Sequence, residues 1–123
     1  MKKIFSAIIS SALIIFLMTS CGYDDDVNVV RNGHFNNYPN VSVGEAFDQF
    51  FINDGWRSFI SSGRRVVEFK GDCLWWNVQS TIEMQFIITD NKFELTNMHI
   101  NGVSMDNEII SVLINKVMTD YEP

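Results

Sequence analysis

Residues 56–100 carry β-branched and aromatic side chains at alternating positions, broken at short intervals by turn formers. Such a stretch has few alternatives to consecutive antiparallel strands joined by tight connections. The alternation is clearest where Ile82, Met84, Phe86 and Ile88 interleave with Glu83, Gln85, Ile87 and Thr89. Four strands are predicted. The first, residues 56–60, turns at Ser61-Ser62-Gly63-Arg64 into the second, residues 65–70, in which Val67 and Phe69 oppose Val66, Glu68 and Lys70. Gly71-Asp72 reads as a break. The third ends at Asp90-Asn91, and the fourth runs over residues 92–100, where the parity of Met98 and Ile100 differs from that of Phe93 and Leu95. That change predicts a bulge near Asn97, and Asn101-Gly102 is expected to end the sheet.

Helical patterns flank the strands. Ser42-Val43-Gly44-Glu45 matches a capping box, and Val43, Ala46, Phe47, Phe50 and Phe51 then recur at helical spacing over residues 43–52. Asn53-Asp54-Gly55 reads as the stop. A second helix is predicted over residues 105–119, capped by Ser104 or Asp106, with an apolar face that includes Ile110, Leu113, Ile114 and Val117. The fold class is therefore α+β, a four-stranded antiparallel meander with an N-terminal and a C-terminal helix packed on one face. Before the first helix, residues 27–30 read as a short strand, followed by a loop dense in turn formers.

The chain starts with a different kind of segment. Met1-Lys2-Lys3 is a positive start, and an apolar run of about fifteen residues follows, short of the roughly twenty that a membrane-crossing helix needs. This is the layout of a signal peptide. Leu17-Met18-Thr19-Ser20-Cys21 resembles the bacterial lipobox, with Met18 standing where the pattern usually has Leu. That resemblance implies cleavage after Ser20, lipid on Cys21, and a polar tether beginning Gly22-Tyr23-Asp24-Asp25-Asp26. Residues 1–20 are then a lipoprotein signal, residues 21–28 the lipidated cysteine and acidic tether, and residues 29–123 a single domain. Two or more acyl chains hold a protein stably on a membrane where one does not. In a diderm cell, Gly22 after the cysteine implies the periplasmic side of the outer membrane.

Charge narrows the partners. Nine Lys and Arg against fifteen Asp and Glu give a net charge of −6, the wrong sign for neutralising nucleic-acid phosphates. Loss of residues 1–20 removes Lys2 and Lys3 and leaves an exported part near −8. Contact with the membrane is then expected through the lipid anchor.

Val29-Val30-Arg31-Asn32-Gly33, Tyr38-Pro39, Val43-Gly44-Glu45-Ala46-Phe47-Asp48, Trp56 and Val66-Val67-Glu68-Phe69-Lys70-Gly71 together resemble an uncharacterised family of small bacterial exported and lipid-anchored proteins. Those residues fall on core elements, so the resemblance implies a fold and no particular chemistry. The element order is also loosely similar to envelope proteins of the outer-membrane assembly lipoprotein and β-lactamase-inhibitor type, in which both helices usually precede the sheet.

No residue set specifies a reaction. With Cys21 carrying lipid, Cys73 is a lone thiol in an oxidising compartment: buried and inert, paired with another molecule, or catalytic with His34 or His99 as base. His34 and His99 lack the neighbours of a metal site, no Gly-rich phosphate loop is present, and neither metal nor cofactor is expected. Leu74-Trp75-Trp76 is the more informative run. In an extended chain Trp75 and Trp76 point to opposite faces, so one of them is left outside the core for cover or recognition. The expected function is a non-enzymatic, membrane-anchored lipoprotein that binds an envelope protein partner. The contact surface would combine Trp75 or Trp76 with a sheet face carrying Arg57, Arg65, Glu68, Lys70, Glu83 and Glu94. The alternative is an inhibitor or immunity-type lipoprotein whose acidic surface steers it to an enzyme in the envelope.

Overall fold

The computed structural model describes residues 24–123. The signal segment and Cys21 lie outside them. The order is α1 (Asp25–Arg31), α2 (Val43–Phe50), β1 (Ile52–Ser61), β2 (Arg64–Trp75), β3 (Val78–Thr89), β4 (Lys92–Ile100), β5 (Val103–Ser104) and α3 (Asn107–Thr119). The fold is α+β, with three helices and an antiparallel sheet whose strands neighbour one another in chain order.

The sheet has five strands where four are predicted. Asn101 and Gly102 both adopt positive φ, 53° and 82°, so this pair makes a two-residue hairpin turn and carries the sheet on instead of ending it. β5 then pairs through Val103 with Ile100 and through Ser104 with His99. A third helix replaces the strand expected at residues 27–30. The Asp24 carboxylate caps α1 by accepting from the Val27 N–H at 2.9 Å, Asp25 and Asp26 occupy the first turn where the helix dipole favours acids, and Val27 and Val30 turn inward at a spacing of three. From Asp24 onward, the stretch read as acidic tether is therefore the start of the folded part.

Three other boundaries move for local reasons. Asn53-Asp54-Gly55 is not a turn after α2 but a bulge inside β1, with Asn53 at φ 52° and a register shift between Ile52 and Gly55. Gly71 does not break β2. A Cβ there would lie 2.7 Å from Phe69 Cζ and 3.0 Å from Phe51 Cβ, so glycine is what lets the Phe69 ring lie over the strand two residues on. The bulge expected near Asn97 falls at Thr96: Gln85 stands opposite Asn97, and Phe86 opposite Leu95.

Residues of one parity form the floor of the core: Val67, Phe69, Cys73 and Trp75 from β2, Ile82, Met84, Phe86 and Ile88 from β3, Met98 and Ile100 from β4. They share a single apolar cluster with side chains of all three helices. Its centre is aromatic, with Phe47 of α2, Trp56 of β1 and Phe69 of β2 at centroid separations of 4.8–5.6 Å. α2 is capped much as predicted: the Ser42 hydroxyl accepts from the Glu45 N–H at 3.2 Å and donates to Glu45 Oε1 at 2.8 Å. Asp106 caps α3 by accepting from the Ile109 N–H at 3.0 Å.

Arg65 has the parity of the core floor and belongs to neither the polar face nor a free surface. Its guanidinium holds Asp26 of α1 at 2.6 Å and donates to the Asp90 carbonyl at 3.3 Å, and this hydrogen bond keeps the Asp26 carboxyl below its ordinary range.

A Gly71→Ala substitution should lower the unfolding free energy by about 1–3 kcal/mol, the usual cost of overpacking a filled core. Urea denaturation followed by far-UV circular dichroism measures it, and an unchanged midpoint would contradict the close approach of Phe69.

Candidate functional site

β2 and β3 are longer than the strands beside them. Their pairing continues to Trp75 opposite Val78, while β1 stops at Ile52 opposite Asp72 and β4 stops at Ile100 opposite Ile82. Residues 73–80 therefore form a two-stranded ribbon that outruns both neighbours. Its base is clamped by Asn101, whose side-chain oxygen accepts from the Thr81 N–H and whose own N–H donates to the Thr81 carbonyl, each at 2.9 Å. Asp72 ties the same level together by accepting from the Thr81 hydroxyl at 2.8 Å and from Asn53 Nδ2 at 3.3 Å.

The ribbon ends in a two-residue turn. Trp76 and Asn77 have φ of 51° and 64°, the paired left-handed conformation that matches strand twist in a short hairpin. Asn is at home there. Trp is not, because a large L side chain in this region costs roughly 1–2 kcal/mol. Part of that cost is offset by stacking: the Trp76 ring lies on Trp75 at 5.4 Å with 15° between planes, a contact worth about 0.5–1.5 kcal/mol.

Strand parity does not sort the two tryptophans, because Trp76 lies past the end of β2 in the turn and its ring stays against Trp75. Trp75 enters the core and Trp76 stands 72% exposed. Leu74 and Val78, which the sequence reading does not single out as surface residues, are 61% and 59% exposed beside it. Three exposed apolar residues thus gather at the end of the ribbon, one of them in strained backbone, with Leu74 on one face and Val78, opposite Trp75, on the other.

Other candidate groups are dispersed. The Cys73 thiol is buried on the core side, and burial, helped by the nearby Asp72 charge, raises its pKa. A raised pKa disfavours the thiolate that nucleophilic chemistry needs. His99 faces Glu83 on the polar face, and His34 lines a cleft of about 370 Å³ with Phe35, Tyr38, Phe93 and Ile110. Neither histidine is brought to Cys73. Among the described residues no group of three or more His, Cys, Asp or Glu could hold a metal ion, and no helix is long and apolar enough to cross a membrane.

Part of the polar face of the sheet is internally satisfied. One row runs across four strands: Arg57 Nε donates to Glu68 Oε1 at 2.6 Å, Gln85 Nε2 to Glu68 Oε2 at 3.2 Å, and Asn97 Nδ2 to Gln85 Oε1 at 3.1 Å. Beside it, Phe59 and Ile87 stand opposite Val66 on the neighbouring strands and leave Val66 only 5% exposed. The groups of this row hold one another, while Lys70, Glu83 and Glu94 on the same face are in no ion pair among the described residues. No family model, curated protein or solved structure matches the chain.

Trp75→Ala should cost about 3 kcal/mol or more of stability as a buried aromatic truncation. Trp76→Asn should stay within about 1 kcal/mol of the parent, since relief of the backbone offsets the lost stacking. Equal losses for both in urea titrations would show that Trp76 serves the fold alone.

Proposed function

We propose that this chain is a lipid-anchored bacterial envelope protein without enzymatic activity, and that it binds a protein partner through the tip of the β2–β3 hairpin. The observation that carries the reading is Trp76, exposed, flanked by exposed Leu74 and Val78, and held in a backbone conformation that a tryptophan occupies at a cost. The N-terminal layout and the lipobox resemblance at Cys21 support the anchor.

Geometry favours a protein over the anchoring bilayer as the tip's target. Asp24 is bonded to Ser58, which stands opposite Val67 on β2, and Trp75 lies eight positions further along that strand, a separation of about 26 Å at 3.3 Å per residue. Cys21 precedes Asp24 by three residues, which span at most about 10 Å. On this reading lipid and recognition tip lie at opposite ends of the domain. An aromatic anchor presented away from the membrane suits a pocket on another protein, and with no Lys or Arg between Gly71 and Ile82 the tip has no means of attracting anionic lipid head groups.

Two measurements test the parts separately. Cells fed an alkynyl fatty acid should label the wild-type protein and not a Cys21→Ser variant. A photo-crosslinking amino acid at position 76 should give one discrete protein adduct in intact cells, and the same probe at Lys92, beside the opposite hairpin turn, should not give it. Adducts to lipid alone, or the same pattern from both positions, would dismiss the hairpin as the docking element.

A further inference from the structure

A second surface on the molecule is built for a different kind of contact. β1 is an edge strand among the described residues, and residues 55–61 keep continuous register with β2 from Gly55 opposite Lys70 to Ser61 opposite Arg64. An antiparallel strand paired on one side directs alternate N–H and C=O groups outward, so this stretch presents an unpaired row of them. Edges of this length are normally protected by Lys, Pro, a mid-strand bulge or a covering segment. β1 contains neither Lys nor Pro, its bulge lies at the Asn53 end, and its arginine is turned onto the sheet, bonded to Glu68 at 2.6 Å and lying 4.8 Å from the Phe59 ring centroid. Ile60, two residues beyond Ser58, is 65% exposed. On the opposite side β5 covers only His99 and Ile100 of β4, and the remaining edge of β4 carries Lys92 and the bulge at Thr96.

Charge indicates what fits beside it. Midway along the open stretch, the Ser58 hydroxyl donates to the Asp24 carboxylate, and Asp25 next to it is exposed and in no ion pair among the described residues. One carboxylate therefore sits against the helix side of the edge, with a second next to it in the chain. A second copy of the chain is a poor occupant, because antiparallel pairing of two β1 strands about Ser58 would bring Asp24 and Asp25 of both copies together on that side. We propose that residues 55–61 of β1 form a strand-addition site for an extended segment of another protein that presents basic side chains towards Asp24 and Asp25. Backbone hydrogen bonds would supply the affinity and the acidic pair the choice of partner. The inference does not depend on the hairpin tip.

The test uses the full chain in a neutral detergent and a fluorescein-labelled, end-capped octapeptide alternating Thr and Lys, compared with its Thr and Glu counterpart. Fluorescence anisotropy should give saturable binding for the Thr/Lys peptide and at least ten-fold weaker binding for the Thr/Glu one. The D24N/D25N double variant keeps a capping side chain at position 24 and should bind the Thr/Lys peptide at least five-fold more weakly. Amide hydrogen exchange at residues 55–61 should slow at least ten-fold in the complex, with β4 and β5 unaffected. Equal affinity for the two peptides, binding without protection of β1, or β1 amides already protected in the free protein by a second copy or by the chain's own residues 1–23 would each overturn the proposal.

Discussion

The meeting of Phe47, Phe51, Trp56 and Phe69 over Gly71 is the contact on which the rest of this fold depends. Phe69 lies 4.9 Å from Phe47, 4.8 Å from Phe51 and 4.8 Å from Trp56, centroid to centroid. Those residues belong to α2, its C-terminal boundary, β1 and β2, so a single ring pins one helix to two strands. Aromatic pairs in offset or edge geometry add to the burial of their large area, and here that packing is possible only because residue 71 has no side chain to stand in the ring's place. With β2 held straight through Gly71, the strand continues to Trp75 and the ribbon beyond it exists. Without that continuity neither the hairpin tip nor the inward side of Trp75 would follow.

Much of this was legible in the residues. The capping box at Ser42, the alternation in β3 and the parity change near Asn97 each express one local rule with no competitor, and each corresponds to a feature of the structure. The failures share a cause. Asn53-Asp54-Gly55, Gly71-Asp72 and Asn101-Gly102 are all turn-forming words, and by local pattern each reads as the end of an element. In the structure they are a bulge, a close approach of a ring and a hairpin turn, so each keeps the sheet going. Sequence pattern reports that the backbone does something unusual at such a site; what it does is decided by the partner strand or the ring that arrives there. The aspartates at 24–26 misled differently, because a run of acids suits a solvated spacer and the first turn of a helix equally well.

The tryptophan pair shows how one missed continuity hides a site. Deciding that Trp75 is inside requires counting in twos from Phe69, and the apparent break at Gly71 stops the count. Once the strand is continuous, residues 69, 71, 73 and 75 share the core side, while Trp76, one place past the strand's end, is set by the turn and lies against Trp75. Leu74 then falls on the other face, which is why it stays exposed while Cys73 beside it does not.

The same continuity explains why the two surfaces differ in kind. A hairpin tip offers side chains on a strained turn and few free backbone groups, so its selectivity comes from the shape of an aromatic and two aliphatics. An edge strand offers backbone groups and little shape, so its selectivity has to come from charge placed alongside, as Asp24 is placed beside Ser58. Between them a hydrogen-bonded row from Arg57 to Asn97 crosses the polar face, so the groups along that row are already paired. Burying groups that already satisfy one another gains little over leaving them in water, whereas covering Trp76 or completing the β1 edge does gain. Recognition by this domain is therefore expected at its margins, the turn and the edge, and not across the broad charged surface that composition first suggests.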